Sequence, residues 1–209
     1  MAEEKVSITV DVTSTSDSPG SLVTQFEITL IMPCNQTPGY IRFSAIANNR
    51  LDTVIPTIFL SYPSGVATFS RQGNILSLRL YERNISLFPS GEIGVSNTPD
   101  IDGAREIIQK IAKIINDAHA IYLRDGPPDE REIEAAKNLN WMEIYKNLPK
   151  LNCRKCGFQV CSAFAVSLLQ GTVKMAACTP LLDLKYQKNL HSLEQSLGPR
   201  LMKTLGWSL

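Results

Sequence analysis

Four of the five cysteines in this chain fall in one short stretch, "NCRKCGFQVCSAFAVSLLQGTVKMAACTPLL". The residues are Cys153, Cys156, Cys161 and Cys178, spaced C-x2-C-x4-C-x16-C. Three thiols so close in sequence must end close in space, and the fourth can return to them only if the intervening segment turns back. The start, "MAEEKVSITV", lacks a basic region followed by an apolar one, so no secretory signal is read and the expected compartment is the cytoplasm. Thiols stay reduced there, and clustered cysteines point to metal before disulfide. A zinc site usually draws on two close pairs, whereas this chain has one. Three close thiols plus a remote one match the ligation of a [4Fe–4S] cluster by four cysteines. Cys153, Cys156, Cys161 and Cys178 are therefore the expected cofactor-binding residues. A zinc site and unrelated thiols are the alternatives.

The surroundings favour a bulky anionic group. Gly157 lets the backbone pass close to it. Cys161 is predicted to open a helix, "SAFAVSLLQG", whose first free amides would stabilise thiolate charge. Phe158, Phe164, Ala165 and Leu168 offer an apolar cover. No Asp or Glu occurs between Glu143 and Asp183, while Lys146, Lys150, Arg154, Lys155 and Lys174 lie in that span. Residues 150–209 carry 2 acidic and 8 basic side chains against 18 and 13 before them, so the cysteine-bearing end is the basic one. A basic collar would offset the charge of a cluster and raise its reduction potential. The plainer account of those cations is a solvated basic face.

The residues Asn152-Cys153, Cys156-Gly157, Cys161, Ala163-Phe164-Ala165, Gly171, Cys178 and Pro180-Leu181 resemble a small four-cysteine iron–sulfur domain. That domain occurs in the large subunit of the corrinoid iron–sulfur protein and in the B subunit of the Rnf electron-transport complex. The resemblance covers about residues 148–183. It departs at Arg154, where a Gly is common, at Gln159-Val160, where Pro-Thr is usual, and at Thr179, inserted between the last Cys and Pro. It implies a [4Fe–4S] cluster that passes electrons in corrinoid or other low-potential metabolism.

The rest of the chain predicts a separate α+β domain. "VSITVDV", "LVTQFEITLIM", "ILSLRLY", "NISLF" and "EIGVS" read as strands, with turns at "DSPGS", "RQGN" and "PSG". "YIRFSAIANNRLDTVIPTIFL" suits helix or strand, and one or two short helices are expected there. Ala104, Ile107, Ile108, Ile111, Ile114, Ile115 and Ala118 recur at three- and four-residue steps, predicting a helix over 103–118, capped by Asp100 or Asp102, that covers an antiparallel sheet. The segment "ISLFPSGEIGVSNTPDIDGAREIIQKIAKII" resembles the strand–turn–strand–helix of one half of a TATA-binding protein. That likeness, over about residues 75–118, implies a curved sheet backed by a helix and does not establish DNA binding. The expected organisation is a sheet domain at 1–123, a linker and polar helix at 124–147, and a helical cluster domain at 148–209. A final amphipathic helix is expected on Leu182, Tyr186, Leu190, Leu193 and Leu197, stopped by Gly198-Pro199.

Cys34, His119 and His191 form no ligand pattern, and Trp141 and Tyr145 read as packing. No phosphate loop, paired carboxylate or nucleophile constellation is present. No apolar run is long enough for a membrane span. The expected function is single-electron transfer to or from a redox partner, with a corrinoid protein as the candidate and the sheet domain as a docking module. A nucleic-acid-associated or redox-sensing protein with a structural cluster is one alternative. A catalytic subunit is another, although a catalytic cubane usually leaves one iron without a protein thiolate.

Overall fold

The computed structural model describes residues 4–13 and 20–207. The chain forms two units: Met1–Phe59 with Phe69–Pro127, and Leu60–Thr68 with Pro128–Leu209. No helix among the described residues is long and apolar enough to cross a membrane.

Among the described residues, seven strands build one antiparallel sheet: β1 (Glu4–Asp11), β2 (Gln25–Pro33), β3 (Ile41–Ala47), β4 (Ala67–Ser70), β5 (Ile75–Leu80), β6 (Arg83–Leu87) and β7 (Glu92–Thr98). Their order is β1-β2-β3-β7-β6-β5-β4, so two meanders meet where β3 pairs with β7. Alternation assigns the faces. Phe26 and Ile28 of β2, Phe43 and Ala45 of β3, Ile85 and Leu87 of β6, and Ile93 and Val95 of β7 are all buried. The tight β5–β6 turn places Tyr81 and Glu82 at φ 55° and 60°, the left-handed pair of a two-residue hairpin.

Residues 41–47 form a central strand, not the helix expected there. Ile41, Phe43, Ala45 and Ala47 are buried at every second position, and pairing to both neighbours decides a segment whose composition suits either state. The expected short helix follows as α1 (Ile55–Leu60).

Helix α2 (Ile101–Asp125) outruns its predicted end. Asp100 caps it by accepting the Gly103 N–H at 2.8 Å, and it stops at Gly126, where φ is 76°. Ala104, Ile107, Ile108, Ile111, Ala112, Ile114, Ile115 and Ala118 are buried along one stripe. Burial of each large side chain contributes about 1.5–3 kcal/mol. The exposed pairs Arg105–Asp102, Lys110–Glu106 and Lys113–Asp117 are screened by solvent and add little. Burial therefore holds this helix. Asn116 adds a polar pin, accepting the Val23 N–H and donating to the Val23 carbonyl, each at 2.9 Å.

The second unit is helical: α3 (Glu130–Asn138), α4 (Trp141–Lys146), α5 (Cys161–Leu169) and α6 (Gln187–Thr204). Helix α4 packs on α5, and α3 on α6. The final helix starts later than expected. Pro180 and Asp183 break "TPLLDLKY" into short 3-10 turns, leaving Leu182 and Leu184 outside the helix and exposed. Gly198 (φ 76°) kinks α6 where a stop was expected, and Pro199 then opens another helical turn that buries Leu201 and Met202. Segment Leu60–Thr68 packs within this unit. Gly65 N–H donates to the Leu169 carbonyl at 2.9 Å, and the Thr204 hydroxyl donates to that of Leu60.

Candidate metal centre

The loop between α4 and α5 carries two of the thiols and follows an unusual path. Lys150, Asn152 and Arg154 all have left-handed backbones, with φ of 57°, 48° and 61°, and Gly157 has φ 87°. Gly157 N–H closes the turn on the Arg154 carbonyl at 3.0 Å. Repeated left-handed residues turn the chain through a tight arc and favour concave backbone surfaces of the kind that hold anions and iron–sulfur groups. Cys153 is exposed on this arc and Cys156 half-buried.

Cys161 is the first residue of α5, and the segment after α5 returns through a 3-10 turn to Cys178. Both are buried. All four cysteines line one cavity, together with Pro149, Leu151, Asn152, Arg154, Phe158, Phe164 and Pro180. The Phe158 and Phe164 rings meet edge to face at 5.7 Å and form an apolar wall. No carboxylate or imidazole lines the cavity; Arg154 supplies its one charged side chain. Among the described residues, no three His, Cys, Asp or Glu side chains are grouped to hold a single ion, so the thiols share the wall without meeting at one point. Burial pushes the Cys178 thiol up to about 11, and negative charge on Cys156, Cys161 and Cys153 pushes the same way, against an opposing hydrogen bond from Leu181. Thiolates this close repel one another unless a cation sits among them. Four thiols, apolar walls and no carboxylate in the lining fit an iron–sulfur group.

One expectation changes. The amide of Cys161 is not free at the start of α5, because the Asn152 side chain accepts it at 2.9 Å. In the sequence Asn152 stands out only as part of the motif. Its signal lay in its residue type, since Asn tolerates a left-handed backbone. Lining by Pro149, Leu151 and Pro180 was not foreseen.

The other candidates stand apart from the cavity. Cys34 lies in the first unit just after β2. Burial pushes its thiol up, but the N–H groups of Gln36, Thr37 and Asn97 and the Arg42 charge outweigh that and leave it below its ordinary value. His119 Nδ1 pairs with the Gly20 carbonyl at 2.8 Å and His191 Nε2 with Gln195 at 2.9 Å. The Trp141 and Tyr145 rings lie 6.1 Å apart, with Lys150 Nζ 5.3 Å from the Tyr145 ring centre; neither ring lines the cavity.

Residues 148–180 match the profile of a family described as "Putative Fe-S cluster". An iron–sulfur domain occupies this part of the chain. The acetyl-CoA decarbonylase/synthase complex subunit gamma of Methanocaldococcus jannaschii is 40% identical over 63 residues, which is 30% of this chain and 13% of that one. Subunit gamma 1 of the same complex from Methanosarcina thermophila is 40% identical over 67 residues, 31% of this chain and 14% of the relative. An uncharacterized protein of Methanocaldococcus jannaschii is 35% identical over 69 residues, 33% of this chain and 31% of that protein. The chain thus spans only about a seventh of the gamma subunits it matches. No solved structure matches.

Proposed function

We propose that the second unit binds one [4Fe–4S] cluster on Cys153, Cys156, Cys161 and Cys178, and that the protein passes single electrons to or from a partner protein. The observation that carries this reading is the convergence of all four thiols on one apolar cavity without a carboxylate in its wall. A cluster held on four thiolates supplies one-electron transfer and leaves no iron open to a substrate.

The chain's own residues supply insulation and direction. Buried Cys161 and Cys178 and the Phe158 and Phe164 rings keep water from one side. Exposed Cys153 and half-buried Cys156 bring the other side close to solvent, where a partner can approach. Arg154 in the cavity wall, with exposed Lys150 and Lys155 beside it, places positive charge at that edge. The charge stabilises the reduced state and steers an acidic surface toward it. The gamma-subunit relatives belong to a named complex, which supports a protein partner. The motif resemblance makes a corrinoid protein the first partner to try, in a cytoplasmic setting.

Anaerobic purification tests the cofactor. About four irons and four sulfides per chain are expected, with an EPR signal on reduction. Stoichiometric zinc without sulfide, in protein never exposed to air, would overturn the reading. Cys161→Ser is expected to give a labile or three-iron cluster; an unchanged cluster would strike Cys161 from the ligands.

A further inference from the structure

The arc that carries Cys153 and Cys156 is tied to the helix that carries Cys161 by a side chain. Asn152 Oδ1 accepts the Cys161 N–H at 2.9 Å, and the contact is partly buried. The residue at the ordinary capping position, Val160, makes no side-chain cap. The first amides of a helix have no partner within it and need one from outside. Here the cap comes from nine residues upstream, out of the loop that precedes the helix. Asn152 reaches it from a left-handed backbone, φ 48°, that Asn adopts more readily than most residues. It is bonded in the chain to Cys153, lines the cavity itself, and grips the amide of Cys161.

We infer that Asn152 is a positioning residue, which holds the Cys153–Cys156 arc in register with α5 so that the thiols face the cluster together. This rests on the function proposed above. Two properties of the residue make separate demands. The backbone turn needs tolerance of positive φ, which Gly also has. The latch needs an acceptor oxygen, which Asp also has. Ala lacks both.

The test uses the full-length protein purified anaerobically, with Asn152→Ala, Asn152→Gly and Asn152→Asp beside the wild type. Iron release into excess chelator is followed by the loss of visible absorbance, and the midpoint potential by redox titration. Asn152→Ala is expected to release iron about tenfold faster, within the range that a lost helix cap produces. Asn152→Gly keeps the turn but not the acceptor and is expected to release iron faster than the wild type but more slowly than Asn152→Ala. Asn152→Asp is expected to hold iron within about twofold of the wild type, at a lower midpoint potential, because its charge adds to that of the cluster. Wild-type retention by the Ala or Gly variant would overturn the latch, and so would an Asp variant as leaky as Ala. If the Ala and Gly variants lose helix content by circular dichroism, the Asp variant decides. A wild type that carries no iron or sulfide would instead fell the proposed function, and this inference with it.

Discussion

Arg154 occupies a left-handed backbone conformation, φ 61°, at the position where the resembling domains commonly have Gly. Left-handed residues other than Gly cost about 1–2 kcal/mol. Arg154→Gly is therefore expected to stabilise the cluster-free protein by about 1 kcal/mol, read from urea unfolding. The same change removes the cation from the cavity wall, so the midpoint potential of the loaded protein should fall. A potential unchanged by the substitution would show that Arg154 does not bear on the cluster. Cys34 poses the opposite case, a thiol outside the cavity wall that the fold makes more acidic. With its pKa lowered, it carries more thiolate at pH 7 than an ordinary thiol, and iodoacetamide should label it faster in folded than in urea-unfolded protein. That advantage should fade as pH rises through the ordinary thiol value of 9.0, where both states ionise. Cys34→Ala should keep full cluster content, since four thiolates satisfy a cubane; loss of about a quarter of the iron would make Cys34 a ligand.

At the scale of elements, two glycines mark where the backbone leaves no room. Gly91 ends the β6–β7 turn at φ +97°, and a Cβ there would lie 2.6 Å from the Asn49 carbonyl oxygen. Gly91→Ala combines strain with a clash against backbone that cannot give, and is expected to destabilise the sheet by about 2 kcal/mol or more. A urea midpoint equal to that of the wild type would refute the contact. A Cβ at Gly65 would likewise lie 2.5 Å from the Leu169 carbonyl oxygen. The Gly65 amide donates to that carbonyl at the end of α5, so Gly65→Ala should weaken the helix that begins at Cys161 and speed iron loss, although position 65 lies far from every cysteine in sequence. Strands β5, β6 and β7 were legible because alternation along them is clean; the pairing of β3 with β7, which sets the order of the sheet, was not. Residues 41–47 were not, because "IRFSAIA" satisfies a strand only once both flanking strands are present to pair with it.

At the scale of the whole molecule, the helical unit is assembled from two pieces of chain, Leu60–Thr68 and Pro128–Leu209. A fragment of residues 128–209 lacks the first piece. It is expected to bind iron with a shorter half-life than the full chain under the same chelator, and equal half-lives would show that segment 60–68 is dispensable. The basic end bears on encounter. Reversing the charges of Arg154 and Lys155 should slow oxidation of the reduced protein by its partner and flatten the dependence on ionic strength, since screening acts over about 8–10 Å. Stopped-flow mixing with a candidate acidic or corrinoid protein reads this directly. An unchanged rate with the true partner would mean that the collar only offsets cluster charge.

Residue spacing alone carried the four candidate thiols, the helix that starts at Cys161, the acid-free stretch around them and the apolar stripe of α2. Each of these is local, so side-chain order along the chain suffices to state it. Tertiary structure decided what depends on distant backbone. It set the cap on Cys161 from Asn152, the left-handed turn at Arg154, the strand at 41–47, and the place of Leu60–Thr68 within the helical unit. The same physical reason underlies the cap, the strand and the place of Leu60–Thr68. A hydrogen-bond donor or an ambiguous apolar run is satisfied by whichever partner the fold brings near, and that partner leaves no periodic trace in the sequence around it.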